Sequence, residues 1–296
     1  MMATYDELLK DEPRLDAVLN TLKINKTHHR FKDAFDVLRE VRKLRLRGES
    51  ISESKVKHLV PSVVHDLSEL SVILNSIDLQ KNPGLLAAKF KRLLTGKVDR
   101  SSDPADADAR NVQFELLLYS DFVRSGLEAS LGDGNPDLLA VVGSRKYGLE
   151  AKRLYSSTSR AFERNIKAAA KQLEERFLER DVSRRGIVAI SVDRLYNLAP
   201  DVLWSQNISA ATKFIQSECN KVVNACSRYW GDSSVMRDQR ILGLVCVATT
   251  IVLEDEDGVG YGSSRSFVAG LPSPKAEQYR RDVDRDLLSS LNDHLF

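Results

Sequence analysis

Two carboxylates and a lysine lie close together near the middle of the chain, at Asp137, Glu150 and Lys152. Two adjacent carboxylates repel each other unless a positive group lies between them. Lysine relieves part of that repulsion and a divalent cation relieves more. Mg²⁺ prefers hard oxygen ligands such as these carboxylates and the carbonyl of Ala151. Bound Mg²⁺ polarises a phosphodiester, and Lys152 would orient or deprotonate the attacking water or stabilise charge on the phosphate.

A hairpin is needed to bring these three groups together. Residues 143–146 are typical of a tight turn, and the pattern predicts that Val142 pairs with Tyr147 across it. Asp137 then lies opposite Lys152. Because alternate residues of a strand share a face, this register places both carboxylates and the lysine on one side of the hairpin. A slip by one residue would move Asp137 to the other face.

A further carboxylate lies on the helix predicted for residues 111–124. Glu115 falls within the apolar stripe of this helix, which contains Leu118, Tyr119 and Phe122. A carboxylate in such a stripe is costly unless a cation compensates it. A metal ion near the hairpin face would offset that cost.

Pro136-Asp137, twelve intervening residues and then Glu150-Ala-Lys152 resemble the motif of the PD-(D/E)XK nuclease superfamily. The core of that family is a helix, three strands, a helix and a strand, which is similar to the order predicted for residues 111–192. The resemblance implies an α/β restriction-endonuclease-like fold, a mixed sheet flanked by helices. It also implies Mg²⁺, with Mn²⁺ as a substitute, bound by Asp137 and Glu150. Lys152 would be the catalytic lysine, and Glu115 would complete the metal site.

The helix that follows Lys152 carries a basic stripe at helical spacing, formed by Arg160, Arg164, Lys167 and Lys171. Such a stripe near the hairpin could hold a nucleic-acid backbone. The alternative is a solvated face paired with neighbouring glutamates. Some members of the family place a glutamine on this helix near the site, and Gln172 corresponds to it. The tyrosine that often follows four residues later is Arg176 here.

The periodicity of the chain predicts a helical region and an α/β domain. Residues 1–98 carry helical apolar stripes, residues 99–110 form a polar linker, and residues 111–296 form the nuclease-like domain. In this domain we expect helices at about 111–124, 159–179, 210–229 and 275–295, and strands at 127–131, 137–142, 147–152, 186–192, 241–253 and 260–268.

Composition restricts the setting in which this chemistry takes place. The chain has 296 residues, with 44 Lys plus Arg against 42 Asp plus Glu, which excludes a histone-like basic coat. Its three cysteines have no metal-type spacing, and its N-terminus lacks the apolar core of a secretory signal. We therefore expect a cytoplasmic protein that does not associate with membranes. The five histidines show no ligand pattern and favour surface or capping positions.

These observations predict a Mg²⁺-dependent nuclease that hydrolyses phosphodiester bonds, and we expect a DNA endonuclease. Cutting both strands of a duplex would need two sites, so a homodimer is an attractive hypothesis. The family resemblance alone suggests a defence, restriction or mobile-element role.

Three alternatives to this prediction stay open. The same fold could bind nucleic acid or protein without cleavage. The N-terminal helices could be the functional part, with the strand domain as a scaffold. Finally, Glu150 and Lys152 could form a surface ion pair of little energetic consequence.

Overall fold

The structure is a computed structural model that describes residues 2–98, 107–155, 158–193, 203–204, 208–230, 238, 240–253 and 261–269. The α-helices are α1 (Tyr5–Leu9), α2 (Asp11–Thr21), α3 (Arg30–Leu46), α4 (Val60–Ser76), α5 (Pro83–Leu93), α6 (Ala107–Arg124), α7 (Ser159–Arg176) and α8 (Ile208–Trp230). The strands are β1 (Met2–Ala3), β2 (Glu128–Leu131), β3 (Leu138–Val142), β4 (Arg145–Arg153), β5 (Arg185–Ser191), β6 (Leu203–Trp204), β7 (Ile241–Leu253) and β8 (Tyr261–Ala269).

The chain divides into two compact units, and the first contains the described residues up to Gln113. Its helices pack through apolar stripes, as in α3, where Phe31, Phe35 and Leu38 recur at helical spacing and are fully buried. A capping box starts α1, because Glu7 N donates to Thr4 Oγ1 at 3.2 Å and Thr4 N donates to Glu7 Oε2 at 2.7 Å. The described part of this unit up to Gln113 is therefore helical apart from the short strand β1.

The second unit is an α/β structure built on a mixed sheet that contains five strands in the order β2-β3-β4-β5-β7. β2, β3 and β4 are antiparallel neighbours, whereas β4, β5 and β7 run parallel. One face of the sheet is covered by α7 and α8, which pack in a common core with Val188 and Ile190 of β5. On the opposite face, the guanidinium of Arg153 lies 5.7 Å from the ring centroid of Phe114 in α6. The mixed α/β fold predicted from the sequence is thus confirmed.

The β3–β4 hairpin corrects the predicted register. Val142 pairs with Arg145, not with Tyr147, so the turn contains only Gly143 and Ser144. Gly143 has φ 60°, as expected for the first central residue of a type II′ turn, which matches the twist of the strands it joins. The predicted pairing was wrong by two residues. Because the side-chain period of a strand is two, this shift leaves every residue on its predicted face.

The start of α6 differs from the sequence prediction, and two predicted segments fall outside the described residues. Ala107–Arg110, predicted as the end of a linker, form the first turn of α6, while residues 99–106 lie outside the described residues. The helix predicted at 275–295 also lies outside them. Among the helices that the structure does describe, none combines the length and the apolar character that crossing a membrane requires.

Candidate active site

Asp137 completes the edge of β4 where β3 ends. β3 pairs with β4 only from Arg145 to Leu149, although β4 continues to Arg153. Beyond this point the Ala151 amide donates to Asp137 Oδ2 at 2.9 Å, so a carboxylate replaces the missing strand partner. The amide and carbonyl of one strand residue point to the same edge, so the Ala151 carbonyl lies on the Asp137 side.

Glu150 is fully buried beside Asp137. The pKa of Glu150 is raised to about 8, mainly by burial and next by the neighbouring Asp137 carboxylate, which is within hydrogen-bonding distance. Lys152 lowers this pKa, but by less than the other two effects raise it. Without a cation, Glu150 keeps a proton at neutral pH. The pair is therefore a place where a positive charge is strongly favoured.

Lys152 supplies part of that charge. Its Nζ lies 3.2 Å from Glu150 Oε2, and its side chain is 21% exposed while that of Glu150 is not exposed at all. The ammonium therefore lies between a buried carboxylate and solvent. This arrangement differs from the surface ion pair considered as an alternative, because one partner is completely desolvated.

Asn135 contacts Glu150 and also contacts two side chains of α7, Gln172 and Arg176, and these three residues were not expected to act together. The amide of Asn135 lies 2.7 Å from Glu150 Oε1, 2.8 Å from a guanidinium nitrogen of Arg176 and 3.0 Å from the amide nitrogen of Gln172. Gln172 was predicted near the site from the family resemblance, and the structure places it there. Asn135 was not predicted, and its only signal in the sequence was its position two residues before Asp137.

Two glycines allow the backbone and side chains to approach closely around this site. A Cβ at Gly132 would lie 1.7 Å from the Pro136 carbonyl oxygen, so only glycine fits opposite the segment that carries Asp137. A Cβ at Gly148 would lie 2.6 Å from the ring of Phe177, which covers the face that carries Glu150. The absence of a side chain at these two positions therefore allows the Pro136 carbonyl and the Phe177 ring to pack this closely.

Glu115 is buried, with 6% of its surface exposed, as its place in the apolar stripe of α6 predicted. In the described part of the chain, only one group of three His, Cys, Asp or Glu residues brings its ligand atoms within 4.8 Å of one another, and Glu115 is not in it. At that spacing Glu115 does not form a three-carboxylate set with Asp137 and Glu150. Its role as a metal ligand remains a prediction.

That group consists of His65, Asp66 and Glu69 in α4, all buried. This group could hold a metal ion. The surface or capping position expected for His65 was wrong, because His65 is buried. His29 does cap α3, where its ring accepts a hydrogen bond from Lys32 N at 3.1 Å. Both oxygens of Asp66 already accept hydrogen bonds, from Arg30 at 2.9 Å and from Arg110 at 2.8 Å. A metal would have to compete with two guanidinium groups for this carboxylate.

The basic stripe lies on the solvent side of α7. Lys167 pairs with Glu163 at 2.9 Å and Lys171 with Glu175 at 3.6 Å, as the solvated-face alternative predicted. Arg160 and Arg164 are exposed, and no ion pair is seen for either of them within the described residues. Exposed i, i+4 ion pairs are weak, so these lysines can exchange their glutamate partners for other anions.

A buried polar network joins the strand ends next to the candidate site. Asp193 Oδ2 lies 3.1 Å from the Arg153 guanidinium and accepts from the Ser191 hydroxyl at 2.5 Å, while its other oxygen accepts from the Thr249 amide. These residues belong to the ends of β4 and β5 and to β7. The network therefore fixes the end of β4, the strand that carries Glu150 and Lys152, against the neighbouring strands.

Comparisons of the chain with protein-family models, with curated proteins and with solved structures find no match.

Proposed function

We propose that the chain is a Mg²⁺-dependent nuclease that hydrolyses phosphodiester bonds, with DNA as its substrate and endonucleolytic cleavage as its activity. The observation that carries the proposal is the contact between the buried Glu150 and Asp137, with Lys152 3.2 Å from Glu150 on the solvent side. The order α6, β2, β3, β4, α7, β5 supports a restriction-endonuclease-like core. We further propose that the protein works in the cytoplasm.

The donor set fits a hard divalent cation. Asp137 and Glu150 would hold Mg²⁺ or Mn²⁺ together with the Ala151 carbonyl, because all three offer oxygen atoms on one edge of β4. Such an ion polarises the phosphodiester and lowers the pKa of a water bound to it. Glu150 would release its proton when the cation binds, because the proton and the cation cannot both occupy the space between the two carboxylates.

Lys152 would act on the reacting groups directly. Its ammonium is anchored by Glu150 and is partly exposed, so it can donate to a phosphate oxygen or orient the attacking water. With a cation held by Glu150, Lys152 would share its carboxylate partner and would have more N–H donors available for the substrate. We therefore assign Lys152 the catalytic role and the two acids the metal-binding role.

Plasmid cleavage with Mg²⁺ or Mn²⁺ tests the proposal. Wild type should nick or cut the plasmid, whereas Asp137→Ala and Lys152→Ala should lose at least about a hundredfold in rate, the usual size of general acid–base catalysis. Lys146→Ala is the matched control, because Lys146 is an exposed lysine on the same strand. Equal nicking by all four proteins would reject the nuclease assignment. DNA binding by wild type without any cleavage would instead favour the binding-module alternative.

Metal titration distinguishes the two possible metal sites. Isothermal titration with Mn²⁺ should give binding to wild type and to His65→Gln, and loss of binding in Glu150→Gln. The reverse pattern would place the metal in the α4 cluster and remove the acidic pair from the mechanism. Sedimentation with and without duplex DNA tests the homodimer that double-strand cleavage would need.

A further inference from the structure

We propose that Arg176 binds a backbone phosphate of the nucleic acid beside the acidic pair, and that Asn135 is the positioning residue that holds it there. This inference rests on the proposed nuclease function and names the group that would orient the substrate. Its basis is a continuous chain of polar contacts from Glu150 through Asn135 to Arg176.

The contacts determine the orientation of the Asn135 amide. If the amide oxygen faced Glu150 and Gln172, the amide nitrogen would face the Arg176 guanidinium, and two donors would be in contact. In the opposite orientation the nitrogen donates to Glu150 Oε1 at 2.7 Å, and the oxygen accepts from Arg176 at 2.8 Å. This orientation gives the Glu150 oxygen a donor and the Arg176 guanidinium an acceptor, and it requires the Gln172 amide, 3.0 Å from the Asn135 nitrogen, to present its oxygen there.

The contact with Asn135 uses only part of the N–H donors of the Arg176 guanidinium. It is the last residue of α7 and is exposed, and within the described residues it has no carboxylate partner at ion-pair distance. A guanidinium carries five N–H donors in a rigid fork that suits a phosphate, and the contact with Asn135 uses one of them. The guanidinium is therefore held one amide group away from Glu150, the acid proposed to hold the cation.

Charge also favours an anion at this position. With a divalent cation bound to Asp137 and Glu150, the two carboxylates are neutralised, and Lys152 and Arg176 leave the site with two positive charges. A polynucleotide backbone supplies negative charge at regular spacing. Asn135 adds a link between the two parts of the site, because the same amide contacts the metal-binding Glu150 and the phosphate-binding Arg176.

The salt dependence of DNA binding tests this inference. Affinity of the full chain for a fluorescein-labelled DNA duplex is measured by anisotropy, with Ca²⁺ in place of Mg²⁺ to limit cleavage, over about 50 to 200 mM salt. Arg176→Gln should weaken binding about tenfold and reduce the slope of log K against log salt by about 1. Arg176→Lys should keep most of the slope, because the charge remains. Asn135→Ala should weaken binding with a smaller change of slope.

Arg180→Gln is the matched control, since Arg180 is an exposed arginine one turn beyond Arg176. The inference would be overturned if the Arg176→Gln protein melts normally and its slope of log K against log salt equals that of Arg180→Gln. Loss of Mn²⁺ affinity in Arg176→Gln without a change in slope would also overturn it, because Arg176 would then only support Glu150. Neither result touches the nuclease proposal, which is decided separately by cleavage in wild type and Asp137→Ala.

Discussion

Replacing Glu150 with glutamine should change how the stability of the metal-free protein depends on pH. The pKa of Glu150 is raised from 4.5 to about 8 by burial and by Asp137. Between these values the folded protein keeps a proton that the unfolded chain has lost. Folding therefore takes up a proton, and its free energy becomes less favourable as pH rises. The stabilising effect of the protonated group is fully present below pH 4.5 and is lost as pH approaches 8.

The magnitude follows from the pKa change. Each pH unit in this window costs up to about 1.4 kcal/mol, which gives a total of about 5 kcal/mol. Glutamine has nearly the same shape, does not titrate and can donate to Asp137. The Glu150→Gln protein should therefore gain about 5 kcal/mol relative to wild type between pH 4.5 and 8, with no further gain above that.

Urea unfolding in EDTA at several pH values, followed by circular dichroism, measures this difference. Glu128→Gln is the control, because it removes an exposed carboxylate from the same sheet. Parallel stability curves for wild type and Glu150→Gln would refute the reasoning, since they would mean that Glu150 is ionised throughout. A gain of the same size in Glu128→Gln would show that net charge, and not the buried pair, causes the effect.

Three further outcomes are expected. Mn²⁺ affinity, measured by isothermal titration, should rise up to about tenfold per pH unit and level off near pH 8, where Glu150 no longer holds a proton. Gly148→Ala should lower unfolding stability in urea by about 1–3 kcal/mol, because its Cβ would lie 2.6 Å from the Phe177 ring, and a normal urea midpoint would contradict this packing. Asp66→Asn should cost about 3–5 kcal/mol in the same assay, since it removes the charge that compensates buried Arg30 and Arg110; a loss below 1 kcal/mol would argue against the pairing.

Local periodicity carried most of the fold prediction. The alternation of residues in β3 and β4 assigned Asp137, Glu150 and Lys152 to one face, and this survived a two-residue error in register because the period is two. The turn itself was misplaced, because the sequence Gly-Ser-Arg-Lys at 143–146 does not reveal how many of these residues belong to the turn and how many to the strands.

Contacts between distant segments could not be predicted from the sequence. Asn135 meets Gln172 and Arg176 only because α7 packs over β4, and a pattern read along the chain contains no such information. The surface or capping position predicted for His65 was wrong for a similar reason. Its neighbours Asp66 and Glu69 were visible in the sequence, but their burial depends on how α4 packs in the first unit.

The sequence alone determined which residue types could do chemistry, which elements carry them and which strand face they share, since each of these follows from local spacing. Tertiary packing decided that Glu150 is desolvated against Asp137 and that an amide from the loop before β3 joins it to Arg176. Desolvation and contact between remote elements depend on the three-dimensional arrangement of the sheet and α7, and these turn an acidic motif into a site that favours a cation.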